Sequence, residues 1–255
     1  MSKPYLALLV VPVLLAGCGN HGRLVTTAQT APRRTAPAPV VGDAVQYEMT
    51  ITGQIGISGS SMPIDSSSHR DVTVTEAANH GGTVPSSITR TFEIREESVQ
   101  SVGVMKSQTT VISWLGEDAA GNLYLLGESL DGVTWDVVTD RTAPIYMPAV
   151  IGPGSSWKYC ARFASGNTES CDNTCLGAED VTTPAGSFRA LKVSTKFSRT
   201  GVRGTDVNLQ STKWLAQDIP CVLEVKSEYD MTSSIAGSPC TTHSVETMQS
   251  FHRGR

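Results

Sequence analysis

The chain has 255 residues, with 24 acidic and 20 basic side chains, a net charge of −4 and 39% hydrophobic residues, of which few are aromatic. That is enough apolar content for a packed core and excludes a disordered chain. Residues 1–40 carry Lys3, Arg23, Arg33 and Arg34 and no acid, which leaves −8 for residues 41–255. An acidic body excludes a nucleic-acid backbone as partner and argues against a body lying flat on anionic lipid.

The chain begins as an export signal. Lys3 precedes an apolar run from Tyr5 to Gly17, broken only by Pro12. The run is shorter than the roughly 20 residues that span a bilayer. A positive start, a short apolar core and a small-residue cut site define a secretory signal. Leu15-Ala16-Gly17-Cys18 also resembles the bacterial lipobox. The resemblance implies cleavage between Gly17 and Cys18 and a diacylglyceryl and N-acyl lipid on Cys18. Two or more acyl chains anchor stably where one does not. Gly19 follows the cysteine in place of Asp; in enterobacterial lipoproteins this implies the outer membrane, facing the periplasm.

Residues 18–40 read as a lipidated N-terminus and tether. Ala31-Pro32-Arg33-Arg34-Thr35-Ala36-Pro37-Ala38-Pro39 has no apolar period and favours extended geometry. At ~3.1 Å per residue such a tether reaches roughly 70 Å.

Beyond it the pattern is strand after strand. Tyr47, Met49 and Ile51 alternate, as do Val72 and Val74, Phe92 and Ile94, and Val102 and Val104. Trp157, Tyr159, Ala161 and Phe163 form one period-2 face, and Leu191, Val193, Thr195 and Phe197 another. Gly, Ser, Asn and Pro clusters at 53–61, 80–87, 119–122, 152–156, 165–168 and 236–239 separate the runs. No long window carries a helical period. The expected fold is all-β and antiparallel.

An internal echo divides the body. Trp114-Leu115-Gly116-Glu117-Asp118 matches Trp214-Leu215-Ala216-Gln217-Asp218, Asp71-Val72-Thr73 matches Asp180-Val181-Thr182, and Val41-Gly42 matches Ile151-Gly152, in the same order. The reading is two related β units, 41–148 and 149–255, forming a sandwich or an open half-barrel.

Five cysteines remain besides Cys18: Cys160, Cys171, Cys175, Cys221 and Cys240. An exported chain favours disulfides. Cys160 with Cys171 or Cys175 is expected around the turn at Ser165-Gly166-Asn167, and Cys221 with Cys240. Metal chemistry is not indicated, because two close ligand pairs are lacking.

In the second unit Gly152-x-Gly154-x-x-Trp157-x-Tyr159, then Pro184-Ala185-Gly186-Ser187-Phe188-Arg189-Ala190-Leu191-Lys192-Val193, then Trp214 and Val225-Lys226, resemble a family of uncharacterised bacterial secreted proteins and lipoproteins, some called TapB-like. The family's second block departs here at Ala216-Gln217-Asp218-Ile219-Pro220-Cys221. The resemblance implies β structure and an envelope location, and no activity. The residues have structural reasons of their own. Pro184 cannot donate a ladder bond and Gly186 tolerates positive φ, so Pro-Ala-Gly makes a turn or bulge between strands.

No catalytic set emerges. Ser155-Ser156-Trp157-Lys158 has the Ser-x-x-Lys spelling, but Trp157 sits in a strand pattern and the companion motifs of that chemistry are missing. His21, His69, His80, His243 and His252 form no pair at metal spacing and read as surface or loop residues. Glu117-Asp118 and Glu179-Asp180 are neighbours, which a strand points to opposite faces. The expectation is a membrane-anchored interaction or assembly module with an envelope protein partner and no cofactor beyond its own lipid; the alternative is a carrier or sensor of an apolar ligand in a concave sheet.

Overall fold

The computed structural model describes residues 34–35, 37–57, 60–78, 80–102, 105–140, 143–202, 205–220, 223–235 and 238–255. The signal at 1–17, Cys18, most of the 18–40 tether and Cys221 lie outside the described residues.

Among the described residues every regular element is a strand: β1 Arg34–Thr35, β2 Ala44–Ile57, β3 Ser60–Glu76, β4 Ile88–Val102, β5 Met105–Asp118, β6 Leu123–Ser129, β7 Trp135–Val137, β8 Ile145–Met147, β9 Val150–Ile151, β10 Ser156–Arg162, β11 Thr168–Thr183, β12 Gly186–Val202, β13 Thr205–Ala216, β14 Lys226–Ile235 and β15 Ser238–His252. The period-2 runs lie on these strands, except that Phe163 follows β10 and Val104 lies outside the described residues. The strands also continue into the Gly/Ser-rich stretch 53–61, where a separator was expected, because its small residues allow close strand approach. Gly53 shows this: a Cβ there would lie 2.1 Å from the carbonyl oxygen of Thr241 on β15.

One antiparallel sheet holds thirteen strands in the order β10-β11-β12-β13-β14-β15-β2-β3-β4-β5-β6-β7, with β8 also paired to β6. The chain is a meander whose last strand pairs with its first long one, from Cys240↔Ile55 to His252↔Ala44. Both halves therefore share one sheet, and a core cluster runs from Val45 and Phe92 to Tyr159 and Trp214. The sheet's two ends meet at a single bridge, Val138↔Phe163. It is not closed into a barrel; of the two expected shapes, the open one is observed.

Two of the echoed stretches lie on strands, whereas Val41-Gly42 forms a turn before β2 and Ile151 ends β9. Asp71 is on β3 and Asp180 on β11, while Trp114 is on β5 and Trp214 on β13. The Pro184-Ala185 turn joins β11 to β12 through the pair Thr183↔Gly186, with Gly186 at φ 139°. That is the left-handed side of φ space that glycine tolerates.

Candidate functional site

Cross-strand pairing builds rows of side chains on one face of the sheet. One row runs Ser66↔Ile51, Ile51↔Ser244, Ser244↔Tyr229, Tyr229↔Ser211, Ser211↔Thr195 and Thr195↔Asn173, across β3, β2, β15, β14, β13, β12 and β11. The next row runs Gln100↔Ser68, Ser68↔Met49, Met49↔Glu246, Glu246↔Ser227, Ser227↔Lys213 and Lys213↔Val193. All the polar members of both rows are buried. This is the concave face. By strand alternation Arg199 on β12 and Glu128 on β6 share it, and they form an ion pair although they stand far apart in the sheet order.

One ionic cluster includes members of the belt and a second lies beside it. In the first, Arg70 Nε donates to Glu246 Oε1 at 2.8 Å and Nη1 to Glu96 Oε2 at 2.7 Å. The guanidinium also stacks on Tyr47, 4.6 Å from the ring centroid. Tyr47 in turn donates its hydroxyl to the Glu224 carbonyl at 2.9 Å. Lys213 Nζ stands 3.7 Å from Glu224 Oε1. In the second cluster Arg199 faces Glu128 and, at 3.1 Å, Glu169, whose other oxygen accepts the Tyr159 hydroxyl at 3.0 Å. Burial pushes Glu169 up to about 8 and Glu246 up to about 7, and raises Glu224. Burial also pushes Lys213 down. A charged group taken out of water favours its neutral form.

The convex face carries two aromatic clusters. His80 lies in the β3–β4 connection, a loop as expected, with its ring buried. It stacks on Trp135 at 3.4 Å, meets Trp114 edge-on at 5.3 Å and bonds Glu93 at 2.7 Å. Trp214 sits beneath Lys192 and Lys226, at 5.2 and 4.7 Å from its ring, and its Nε1 donates to Glu179.

The expected pairing of Cys160 with Cys171 or Cys175 needs correction, while Cys221, the expected partner of Cys240, lies outside the described residues. Cys160, Cys171, Cys175 and Cys240 are free thiols. The β10–β11 register explains the first hairpin: Tyr159 pairs with Cys171, and Cys160 pairs with Ser170. Cys171 therefore points into the core while Cys160 points to solvent. Cys175 is four residues along the same strand as Cys171, on the buried face and out of bridging reach. Cys240 pairs in the ladder with Ser233 and Ile55.

The adjacent carboxylates do not converge on one substrate. Glu117 pairs with Arg90, while Asp118 binds the turn through the amides of Ala120 and Asn122. Glu179 is taken by Trp214 and Lys192, and Asp180 by Arg189. Ser155 and Lys158 serve a turn and a surface pair with Asp172.

The belt and its ions were missed in the sequence reading, although a signal was present. Arg70 is in phase with Val72 and Val74, Lys213 with Leu215, and Glu169 with Cys171. A charge in phase with an apolar alternation points into the core.

The fold thus defines an all-β protein built as one open, curled meander with a polar concave belt. No protein-family model and no curated protein matches the chain. Two solved structures align over 86% of it. One is a candidate exported protein with a YmcC-like fold from Bacteroides fragilis, 12% identical, covered over 100% of its length, TM-score 0.37. The other is a candidate lipoprotein from Parabacteroides distasonis, 14% identical, covered over 99%, TM-score 0.36.

Proposed function

We propose that this chain is an exported, lipid-anchored protein of the cell envelope, held in the outer membrane on the periplasmic side, whose curled sheet is a non-catalytic interaction or assembly module. The observation that carries the reading is Leu15-Ala16-Gly17-Cys18 at the end of a short apolar run. One backbone pairing supports a fixed start of the body behind such an anchor. Arg34–Thr35 pair with Val150–Ile151. Val150 and Ile145, both exposed, lie at and just before this docking strand.

An apolar ligand in the concave sheet draws less support. A carrier of that kind needs an apolar lining, whereas the two central rows set Ile51, Met49, Tyr229 and Val193 among buried Ser, Thr, Asn, Gln, Lys and Glu.

The test is a Cys18→Ser variant of the full chain, followed by membrane fractionation and palmitate labelling. The reading expects the unaltered chain in the outer-membrane fraction with label, and the variant soluble and unlabelled. A variant that stays in the membrane overturns it.

A further inference from the structure

The first described residues of the chain and its last ones meet at one buried carboxylate. Asp43, just before β2, is 0% exposed. Its Oδ1 accepts the Gly254 amide at 2.9 Å, and its Oδ2 accepts Arg253 Nη1 at 3.1 Å and the Val40 amide at 2.8 Å. Arg253 Nη2 donates to the Ala38 carbonyl at 2.9 Å, and Arg90 of β4 donates to the Pro39 carbonyl at 2.7 Å. Two backbone bonds of 2.8 Å tie Gly42 and Asp43 to Val74 of β3. Only glycine fits at 254, because a Cβ there would lie 2.2 Å from the Val41 carbonyl oxygen.

A few residues upstream the contact is of another kind. Arg34 and Thr35 pair with Ile151 and Val150 in a sheet of two strands, β1 and β9. Among the described residues β9 has no other strand partner. Ile151 packs with Leu191 and Leu215, so β9 is fixed to the second half of the chain. Two residue pairs gain too few ladder bonds to offset the ordering of a free chain. The knot on Asp43 is instead buried and charge-assisted, which makes its bonds the stronger ones. Holding residues 38–43 in place keeps Arg34 and Thr35 beside β9 at high effective concentration.

We infer that the segment from Arg34 to Asp43 is a latched strap, locked by the C-terminal Arg253 and Gly254, and that the locked strap is an autoinhibitory contact on the edge of β9. In the closed form the edge is occupied by the chain's own β1. Unlatched, β1 leaves and β9 presents unpaired backbone groups beside exposed Val150 and Ile145. Such an edge is a template for another extended segment. The device goes beyond the anchored-module reading and does not depend on a lipid at Cys18.

The test is hydrogen exchange with mass spectrometry on the full-length protein in detergent, read over residues 37–43 and 149–152. Peptides around Leu191 and Leu215 report general unfolding. The unaltered chain should protect both stretches. A chain ending at His252 should exchange about tenfold faster or more in both, with Leu191 and Leu215 unchanged. Arg253→Gln, which keeps the Gly254 amide on Asp43, should give the same pattern at smaller size. Thr35→Pro interrupts the β1 ladder and should open 149–152 alone, leaving 37–43 protected. This one-way dependence is what a latch imposes. The inference is overturned if 149–152 exchanges freely in the unaltered chain, or if it stays protected in the chain ending at His252. It is overturned equally if Thr35→Pro opens 37–43 as far as loss of the C-terminus does.

Discussion

Arg199 on β12 and Glu128 on β6 form an ion pair across the concave face, with β13 to β15 and β2 to β5 between them in the sheet. The pair exists only because the sheet curls. Arg199 also holds Glu169 at 3.1 Å, and the three side chains are almost wholly withdrawn from solvent. Removing one member of a buried pair leaves uncompensated charge, at about 3–5 kcal/mol. Arg199→Met should therefore lower the unfolding free energy by about that much. Urea denaturation followed by tryptophan fluorescence measures it. A loss under ~1 kcal/mol, the range of a surface pair, would sink this account.

The same clusters fix how stability depends on pH. Burial holds Glu169 at about 8 and Glu246 at about 7, against an ordinary 4.5. Between those limits the native state keeps protons that the unfolded chain has released. Stability must then fall as pH rises across that window. Lys213, pushed down by burial, adds stability only as pH climbs toward 10.5. The expected curve declines by on the order of a few kcal/mol between about pH 5 and 8. Glu169→Gln should flatten it, because the amide cannot ionise. A stability that rises across this range contradicts the assignment.

The all-β, antiparallel reading was legible because alternation is local. Trp157, Tyr159, Ala161 and Phe163 mark β10 and its bridge without reference to any other strand. The pairing of β15 with β2 was not legible, since the two strands stand about 190 positions apart and nothing local records it. The Cys160 pairing misled for a different reason. Closeness in sequence around Ser165-Gly166-Asn167 suggests a bridge, but strand parity sends Cys160 outward and Cys171 inward. The belt depends on both long-range pairing and phase. Arg70 gave the phase in its spacing from Val72, but its partner Glu246 belongs to the other end of the chain.

Thiol reactivity follows from that parity. Cys160 is exposed, while Cys171, pushed up to about 12 by burial, is both shielded and protonated at neutral pH. The thiolate is the reactive form. A maleimide applied to the native protein should label Cys160 first, with Cys171 and Cys175 labelled only after denaturation. Peptide mass mapping without reductant reads both the sites and any bridge. A Cys160–Cys171 or Cys160–Cys175 crosslink in the native protein would contradict the pairing of Tyr159 with Cys171 and of Cys160 with Ser170.

The closure of the meander on itself has its own probe at Gly53. This residue pairs with Thr242 on β15, and an added Cβ would lie 2.1 Å from the Thr241 carbonyl oxygen and 2.8 Å from the Thr242 Cα. Both obstacles are backbone and cannot rotate away. Gly53→Ala must push β15 off β2 locally and strain the junction that unites the two halves. Overpacking of this kind costs about 1–3 kcal/mol. Gly154→Ala is a suitable companion: its φ of 80° also disfavours a side chain, but nothing stands within 4 Å of the added carbon. The Gly53 variant should show faster amide exchange at Thr241 and Thr242, and the Gly154 variant should not. Hydrogen exchange with mass spectrometry over β15 separates loss of this junction from general destabilisation. Equal exchange in both variants would mean that β2 and β15 are not joined as described.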